Sequence, residues 1–148
     1  MMDGGDMLNI AIGADHAGFE LKEEVISELK SLNCQVTDFG TDSSKNSCDY
    51  PDFAAEVCAA VLQNAGLGIL ICGTGIGMSM AANKYKGIRA GLCTCEFQAR
   101  MTRMHNNANV LCLGARVTGR DLALAIVRAF LESEFEGGRH LARIQKFE

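Results

Sequence analysis

The chain has 148 residues, of which 48% are hydrophobic and 22% are charged, and its formal net charge is −4. This composition excludes general disorder, and the length fits one compact domain with a buried core. Residues 1–88 carry 12 acidic residues against five lysines, and every arginine lies at or beyond Arg89. The later segment is too weakly basic and too mixed in sign for nucleic acid, so we expect no such partner. Its arginines would suit a small anion such as phosphate, although most are expected on solvated helix faces.

Seven cysteines are present, an odd number without CxxC spacing, which is typical neither of a zinc site nor of a redox dithiol. Most lie in apolar runs and are expected to pack as small hydrophobic side chains. Free thiols in this number predict a reducing compartment, and we therefore expect the protein in the cytoplasm.

Residues 1–7 are predicted to be a disordered leader, and residues 8–148 a single domain. No secretory signal is recognisable, because acidic residues interrupt the N-terminus before any apolar stretch. Residues 57–83 contain no charge and are long enough to span a membrane. They divide, however, into a helix end, a turn, a strand and a glycine loop. We therefore expect no membrane partner.

Short apolar runs predict five strands, at residues 8–13, 34–39, 67–71, 87–92 and 109–113. Helical periodicity between and after these runs predicts five helices. Their apolar positions are Leu21, Val25, Leu29 and Leu32; Phe53, Val57 and Val61 after Pro51; the short segment 78–85; Phe97, Met101 and Met104; and Leu122, Ile126 and Phe130. Alternating strands and helices imply right-handed crossovers and a parallel sheet covered on both faces. The predicted fold is a Rossmann-like three-layer αβα sandwich with a five-stranded parallel sheet.

Ligands of open parallel sheets bind beyond the carboxyl ends of the strands, so the residues there are the candidates for a site. Asp15 and His16 follow the first strand, Cys72 and a glycine loop follow the third, and Arg116 follows the fifth. His105 and Asn106 follow the helix after strand four, and we expect them on the same rim. Together these polar side chains predict one pocket.

The glycine loop at residues 73–77 (GTGIG) is the most informative of these segments. Met78 occupies the place of the third glycine of a dinucleotide fingerprint, and no Walker lysine is present. The loop therefore predicts neither a dinucleotide nor a nucleoside triphosphate. Its N–H groups would instead suit a developing oxyanion, and they favour a thiolate at the adjacent Cys72.

Each of these candidates also has a purely structural interpretation. Asp15 is well suited to cap the first helix. The position of Cys72 is compatible with a catalytic thiol and with a packed one. His105 follows an apolar helix face, where a non-catalytic histidine is the ordinary case. Arg139 and Arg143 share one face of a helical turn, and spacing alone favours a frayed, solvated terminus for both.

Seven motifs, in order along nearly the whole chain, together resemble the ribose-5-phosphate isomerase B family. They lie at residues 13–19 (GADHAGF), 38–41 (DFGT), 49–51 (DYP), 71–77 (ICGTGIG), 81–84 (AANK), 105–106 (HN) and 136–140 (EGGRH). The resemblance implies interconversion of ribose 5-phosphate and ribulose 5-phosphate, without metal or cofactor. It also implies a homodimer, or a tetramer, in which each active site combines two subunits and the C-terminal tail contacts the partner.

The resemblance also implies a role for each matched residue. Cys72 is the base that moves a proton between C2 and C1, and Thr74 assists the transfer. His105 opens the furanose ring, with Asp15 near the sugar oxygens. The other matched residues bind substrate: Gly73, Gly75, Ile76 and Gly77 through loop amides, Tyr50 and Asn106 by orienting the sugar, and His16, Arg116, Arg139 and Arg143 by holding the phosphate. Relatives that use a glutamate base carry it where this chain has Met78, so the cysteine type is expected.

The sequence departs from the family pattern in three places and leaves two alternative functions open. The 43–48 loop is slightly longer than usual, Asn107 stands where an aspartate is frequent, and the tail ends early. One alternative is a hexose 6-phosphate substrate, such as allose or galactose 6-phosphate. The other is a non-catalytic sugar-phosphate sensor on the same fold.

Overall fold

The computed structural model describes residues 7–64 and 66–148, and its core is a parallel β-sheet between two layers of helices. The strands are β1 (Asn9–Ala14), β2 (Gln35–Asp38), β3 (Leu67–Cys72), β4 (Ala90–Leu92) and β5 (Val110–Gly114). The helices are α1 (Phe19–Ser31), α2 (Tyr50–Asn64), α3 (Ile76–Ala82), α4 (Glu96–Met104), α5 (Arg120–Glu132) and α6 (Arg139–Ile144). The strand order is β2-β1-β3-β5-β4, which confirms the predicted fold class.

Alternating side chains of the strands build two separate apolar cores, one on each face of the sheet. Ile12, Ile71 and Leu113 point to the face covered by α1, α4 and α5. Leu70 and Cys112 point to the face covered by α2 and α3. Cys72 lies on this second face, so its side chain is directed toward the helix layer that also carries the glycine loop.

The order of the strands places a topological switch between β1 and β3. From β1 the chain crosses through α1 to β2 on one side, whereas the later connections build β5 and β4 on the other side. Loops leaving the carboxyl ends of β1 and β3 therefore diverge and leave a crevice between them. The Asp15 loop and the Cys72 loop border this crevice.

Two of the predicted elements have clearly different bounds in the structure. β4 begins at Ala90 rather than at residue 87, because the Asn109 side chain accepts a hydrogen bond from the Arg89 N–H and donates to the Gly87 carbonyl. These bonds replace strand pairing over the first predicted residues. α3 spans Ile76–Ala82 rather than residues 78–85, because it begins directly after Gly75, whose φ is 80°.

The C-terminal segment forms a sixth helix, and the prediction of a frayed terminus is therefore wrong. His140 and Ile144 of α6 are buried, while Arg139 and Arg143 are exposed. The predicted leader lies outside the described residues except for Met7, which is exposed. The uncharged segment 57–83 divides into the end of α2, β3 and α3. Within the described chain, every helix is too short or too polar to cross a bilayer.

A side chain hydrogen-bonds to the outer side of β4, one of the two edge strands of the sheet. β4 is an edge strand, and Asn83 accepts a hydrogen bond from the Ala90 N–H at 2.8 Å and donates one to the Ala90 carbonyl at 3.0 Å. The amide thus makes both bonds that a neighbouring strand would make at this position.

Leu29→Ala is expected to destabilise the fold by about 2–5 kcal/mol, because the Leu29 side chain of α1 is fully buried and its loss leaves a cavity. Leu62→Ala is the matched control, since Leu62 is 49% exposed on α2 and its loss should cost less than about 1 kcal/mol. Urea denaturation of both variants measures the difference. Equal destabilisation would contradict the assignment of the core.

Candidate active site

The Cys72 sulfur lies at the carboxyl end of β3, beneath the glycine loop. The Gly75 N–H donates a hydrogen bond to Cys72 Sγ at 3.2 Å. Gly75 has a left-handed backbone, and a Cβ added there would lie 2.5 Å from the Leu92 side chain. Only glycine therefore allows the loop to turn back over the sulfur in this way.

The other buried cysteines are held as neutral thiols. Burial raises the pKa of Cys58 to about 11. Burial, together with the nearby Cys95, raises the pKa of Cys93 to about 12. The pKa values of Cys34 and Cys112 are also raised, in both cases mainly by burial. These four thiols are protonated at neutral pH and are unsuited to act as bases, whereas the sulfur of Cys72 lies at the crevice with a hydrogen-bond donor.

Asp15 lies beside Cys72 because β1 and β3 are neighbours. Asp15 Oδ1 accepts hydrogen bonds from the N–H groups of Ala17 and Gly18 at 3.1 and 3.2 Å, so it caps the short 3-10 turn His16–Gly18. A Cβ added at Gly18 would lie 2.6 Å from the Ile71 carbonyl oxygen. Glycine therefore permits the close approach that sets this turn against the end of β3. Asp15 therefore caps the turn that precedes the first helix and not α1 itself, whose N-cap residue is Gly18.

The loop between β2 and α2 reaches His16 through Cys48. The Cys48 N–H donates to His16 Nδ1 at 3.3 Å, and Cys48 Sγ lies 3.9 Å from the same nitrogen. This contact leaves Nε2 as the nitrogen of His16 that can donate to a ligand. Sequence reasoning missed Cys48, because nothing in its spacing relates it to a histidine 32 positions earlier.

Tyr50 and Arg116 pack directly on the glycine loop. A Cβ added at Gly77 would lie 2.6 Å from Tyr50 Cζ. A Cβ added at Gly73 would lie 3.4 Å from Arg116 Cδ and Nη1. The Arg116 N–H also donates to the Gly73 carbonyl at 2.9 Å. The two side chains therefore flank the loop, as expected for groups around one small ligand.

Thr74 completes this group at the carboxyl edge of the sheet. Its side chain is exposed, and its hydroxyl accepts a hydrogen bond from the Ile76 N–H at 3.3 Å. One edge of a single chain therefore assembles most of the predicted residues, namely Asp15, His16, Tyr50, Cys72, Gly73, Thr74, Gly75, Ile76, Gly77 and Arg116. These residues supply one thiol, one carboxylate, one imidazole, one guanidinium, two hydroxyls and a row of loop amides.

His105, Asn106, Arg139 and Arg143 lie elsewhere. The prediction that His105 and Asn106 share the rim of Cys72 within one chain is therefore wrong. β4 and β5 are parallel neighbours, so α4 runs from the carboxyl end of β4 back to the amino end of β5. His105 and Asn106 follow the last residue of α4 and therefore lie at the amino edge of the sheet, opposite Cys72. The tail is tied to the same place, because the Glu136 N–H donates to the Met104 carbonyl.

At this opposite edge His105 forms a compact polar cluster with two tail residues. The rings of His105 and His140 stack with centroids 4.2 Å apart and an interplanar angle of 11°. Glu136 Oε1 lies 3.6 Å from His105 Nε2 and 3.3 Å from His140 Nε2. The sequence contains both tail residues in its EGGRH motif, but their pairing with His105 depends on a tertiary contact that spacing does not reveal.

The sequence of this chain is similar to those of known sugar-phosphate isomerases. The family model described as Ribose/Galactose Isomerase matches residues 10–147. Ribose-5-phosphate isomerase B of Escherichia coli K12 is 48% identical over 140 residues, which are 94% of this chain and 93% of that protein. The chain therefore belongs to the ribose/galactose isomerase family, and the family predicted from the motifs is confirmed.

Solved structures give the same assignment in three dimensions. Ribose-5-phosphate isomerase B of Clostridium thermocellum superimposes with a TM-score of 0.92 at 52% identity, covering 95% of both chains. The Mycoplasma genitalium protein, solved with bound ribulose-5-phosphate, superimposes with a TM-score of 0.92 at 46% identity, covering 96% of this chain and 95% of that one. At these identities the likeness extends beyond the fold to the family.

Gly77→Ala is expected to lower kcat/KM by about tenfold or more, because the new methyl group displaces the Tyr50 ring from the glycine loop. In a Tyr50→Ala background the same methyl group meets no ring, so Gly77→Ala should cause little further loss. Steady-state kinetics of the two single variants and the double variant measure this coupling. Additive losses would contradict the proposed contact.

Proposed function

We propose that this chain interconverts ribose 5-phosphate and ribulose 5-phosphate, with Cys72 as the base, in active sites shared between two subunits. The observation that carries the mechanism is the Cys72 sulfur, which the Gly75 N–H holds at the crevice between β1 and β3. Membership of the family and 48% identity to the Escherichia coli enzyme over nearly the full length support the reaction. The chain is an aldose–ketose isomerase.

The proposed chemistry needs one base between two adjacent carbons and donors for one developing charge. The Cys72 thiolate removes the proton from C2 of the open-chain aldose, and the electron pair forms an enediolate. The loop N–H groups stabilise its oxygen, and Thr74 relays the hydroxyl proton. The Cys72 thiol then returns the proton to C1, which leaves the carbonyl at C2. Because no electrons leave the substrate, the reaction itself calls for no redox partner.

The remaining residues of the carboxyl edge position the sugar. In this proposal Tyr50 packs along it, Asp15 faces its oxygens, and His16 and Arg116 bind the phosphate. Contacts with the glycine loop fix Tyr50 and Arg116 before substrate arrives. Asp15 is held by its turn and His16 by Cys48. Phosphate binding then supplies remote binding energy that positions C1 and C2 against the sulfur.

Ring opening and the second half of the phosphate site are assigned to a partner subunit. His105, Asn106, Arg139 and Arg143 lie at the edge opposite Cys72, so one chain alone has an incomplete site. Large apolar side chains are also exposed on the single chain, including Ile76 and Met80 of α3 and Phe97 of α4. An apolar surface beside a site supports coverage by a second copy. We therefore propose a homodimer in which these four residues face the partner's Cys72.

We also propose that the enzyme acts in the cytoplasm. None of its seven cysteines forms a disulfide, and four have a raised pKa in buried positions. A reducing compartment keeps such thiols intact and protects the proposed base from oxidation.

The shared site predicts complementation between two inactive variants. Cys72→Ala and His105→Ala should each abolish most turnover of ribose 5-phosphate. After subunit exchange, half of the dimers are mixed, and each mixed dimer has one site with both native residues. The mixture should therefore regain about a quarter of wild-type activity. Two copies of the same variant, mixed in the same way, serve as the control, and failure to regain activity despite proven exchange would contradict the shared site.

The ring-opening role of His105 predicts that its loss impairs ring opening but spares the proton transfer at C1 and C2. Ribulose 5-phosphate cannot close a five-membered ring, because its C5 oxygen carries the phosphate. His105→Gln should therefore reduce turnover of ribose 5-phosphate by about 10²–10⁴-fold and largely spare solvent hydrogen exchange at C1 of ribulose 5-phosphate. Cys72→Ala, the matched comparison, should abolish both. NMR in deuterated water measures the exchange, and loss of exchange in His105→Gln would argue against a role confined to ring opening.

A further inference from the structure

The cluster of His105, Glu136 and His140 has the composition and spacing of a metal site. One ligand atom from each residue, two imidazole nitrogens and one carboxylate oxygen, lies within 4.8 Å of both others. Two histidines and one glutamate form a donor set that proteins use for zinc, with the fourth position left to water or substrate. The proposed reaction does not use Glu136 or His140.

Backbone contacts of the tail bring the three side chains together. The Glu136 N–H donates to the Met104 carbonyl at 3.1 Å, immediately before His105. Gly137 and Gly138 have φ values of 69° and 58°, and this turn returns the chain so that Glu136 and His140 face the same point. The His140 side chain is buried, whereas those of His105 and Glu136 are partly exposed, so the cluster is fixed at one side and open to solvent at the other.

The distances are close to those that a bound ion requires. Zinc binds nitrogen and oxygen ligands at about 2.0–2.2 Å, so ligand atoms in a tetrahedral site lie roughly 3.2–3.6 Å apart. The two nitrogen–oxygen separations, 3.6 and 3.3 Å, already fall in or near this range. The stacked rings of His105 and His140 are nearly parallel, so the half-exposed His105 ring has to rotate out of the stack before both nitrogens can face one ion.

We propose that His105, Glu136 and His140 bind one divalent transition-metal ion per chain, with zinc as the preferred ion. Zinc would tie the C-terminal tail to the end of α4, because one ligand comes from α4's terminus and two come from the tail. It would also occupy Nε2 of His105, the residue to which the proposed mechanism assigns ring opening. The ion therefore acts as an inhibitor of the isomerase rather than as its cofactor. Only this inhibitory effect rests on the proposed role of His105.

The test adds zinc chloride to the full-length protein, previously freed of metal, and measures binding by calorimetry and thermal unfolding. We expect about one ion per chain and a raised melting temperature, because binding to the folded state stabilises it. His140→Phe retains a stacked ring without nitrogens, and Glu136→Gln retains the shape of the carboxylate. Each should weaken zinc binding by about 100-fold or more. Glu132→Gln, a change of an exposed glutamate of α5, should bind like the wild type.

Activity measurements separate the site from the role of His105. Bound zinc should suppress turnover of ribose 5-phosphate more strongly than hydrogen exchange at C1 of ribulose 5-phosphate, and Glu136→Gln should be less sensitive to zinc. Zinc binding that depends on Glu136 and His140 without loss of turnover would support the site and contradict the role of His105. Binding that is unchanged in both variants would place the ion on thiols and overturn the proposal.

Discussion

The hydrogen bond from the Gly75 N–H to Cys72 Sγ connects the fold to the chemistry. It forms because β3 ends at the carboxyl edge and the chain turns sharply into α3 through a left-handed glycine. The same turn sets Gly73 against Arg116 and Gly77 against Tyr50, so one backbone path positions three functional side chains. Any larger residue at these glycines would move a side chain of the site as well as the loop.

A second constraint comes from the direction of the strands. In a parallel sheet each strand ends at one edge and each helix returns to the other, so residues that follow strands and residues that follow helices are separated by the length of the sheet. Cys72 belongs to the first group and His105 to the second. In the proposed dimer, association of two copies brings groups from opposite edges together, so that a small domain can supply a site with many polar groups.

The sequence predicted the architecture well, because strands and helices of this chain have strong apolar periodicity. It predicted the carboxyl-edge group equally well, since Asp15, Cys72 and Arg116 each lie at or just beyond the end of a strand. The sequence did not predict the features that depend on tertiary contacts. The Asn109 side chain sets the start of β4, and burial of His140 and Ile144 orders the C-terminal tail. The direction of α4 decides at which edge of the sheet His105 lies. Spacing along the chain contains none of these relations.

The Asn83 side chain affects whether copies of the protein can pair through the edge strand β4. An edge strand normally offers its backbone to another strand, and repeated pairing of this kind produces fibres. Here a short edge strand already has its Ala90 backbone groups engaged by an amide from the same chain. The Ala90 backbone is thus unavailable to a strand of another copy, which disfavours open-ended polymerisation through β4.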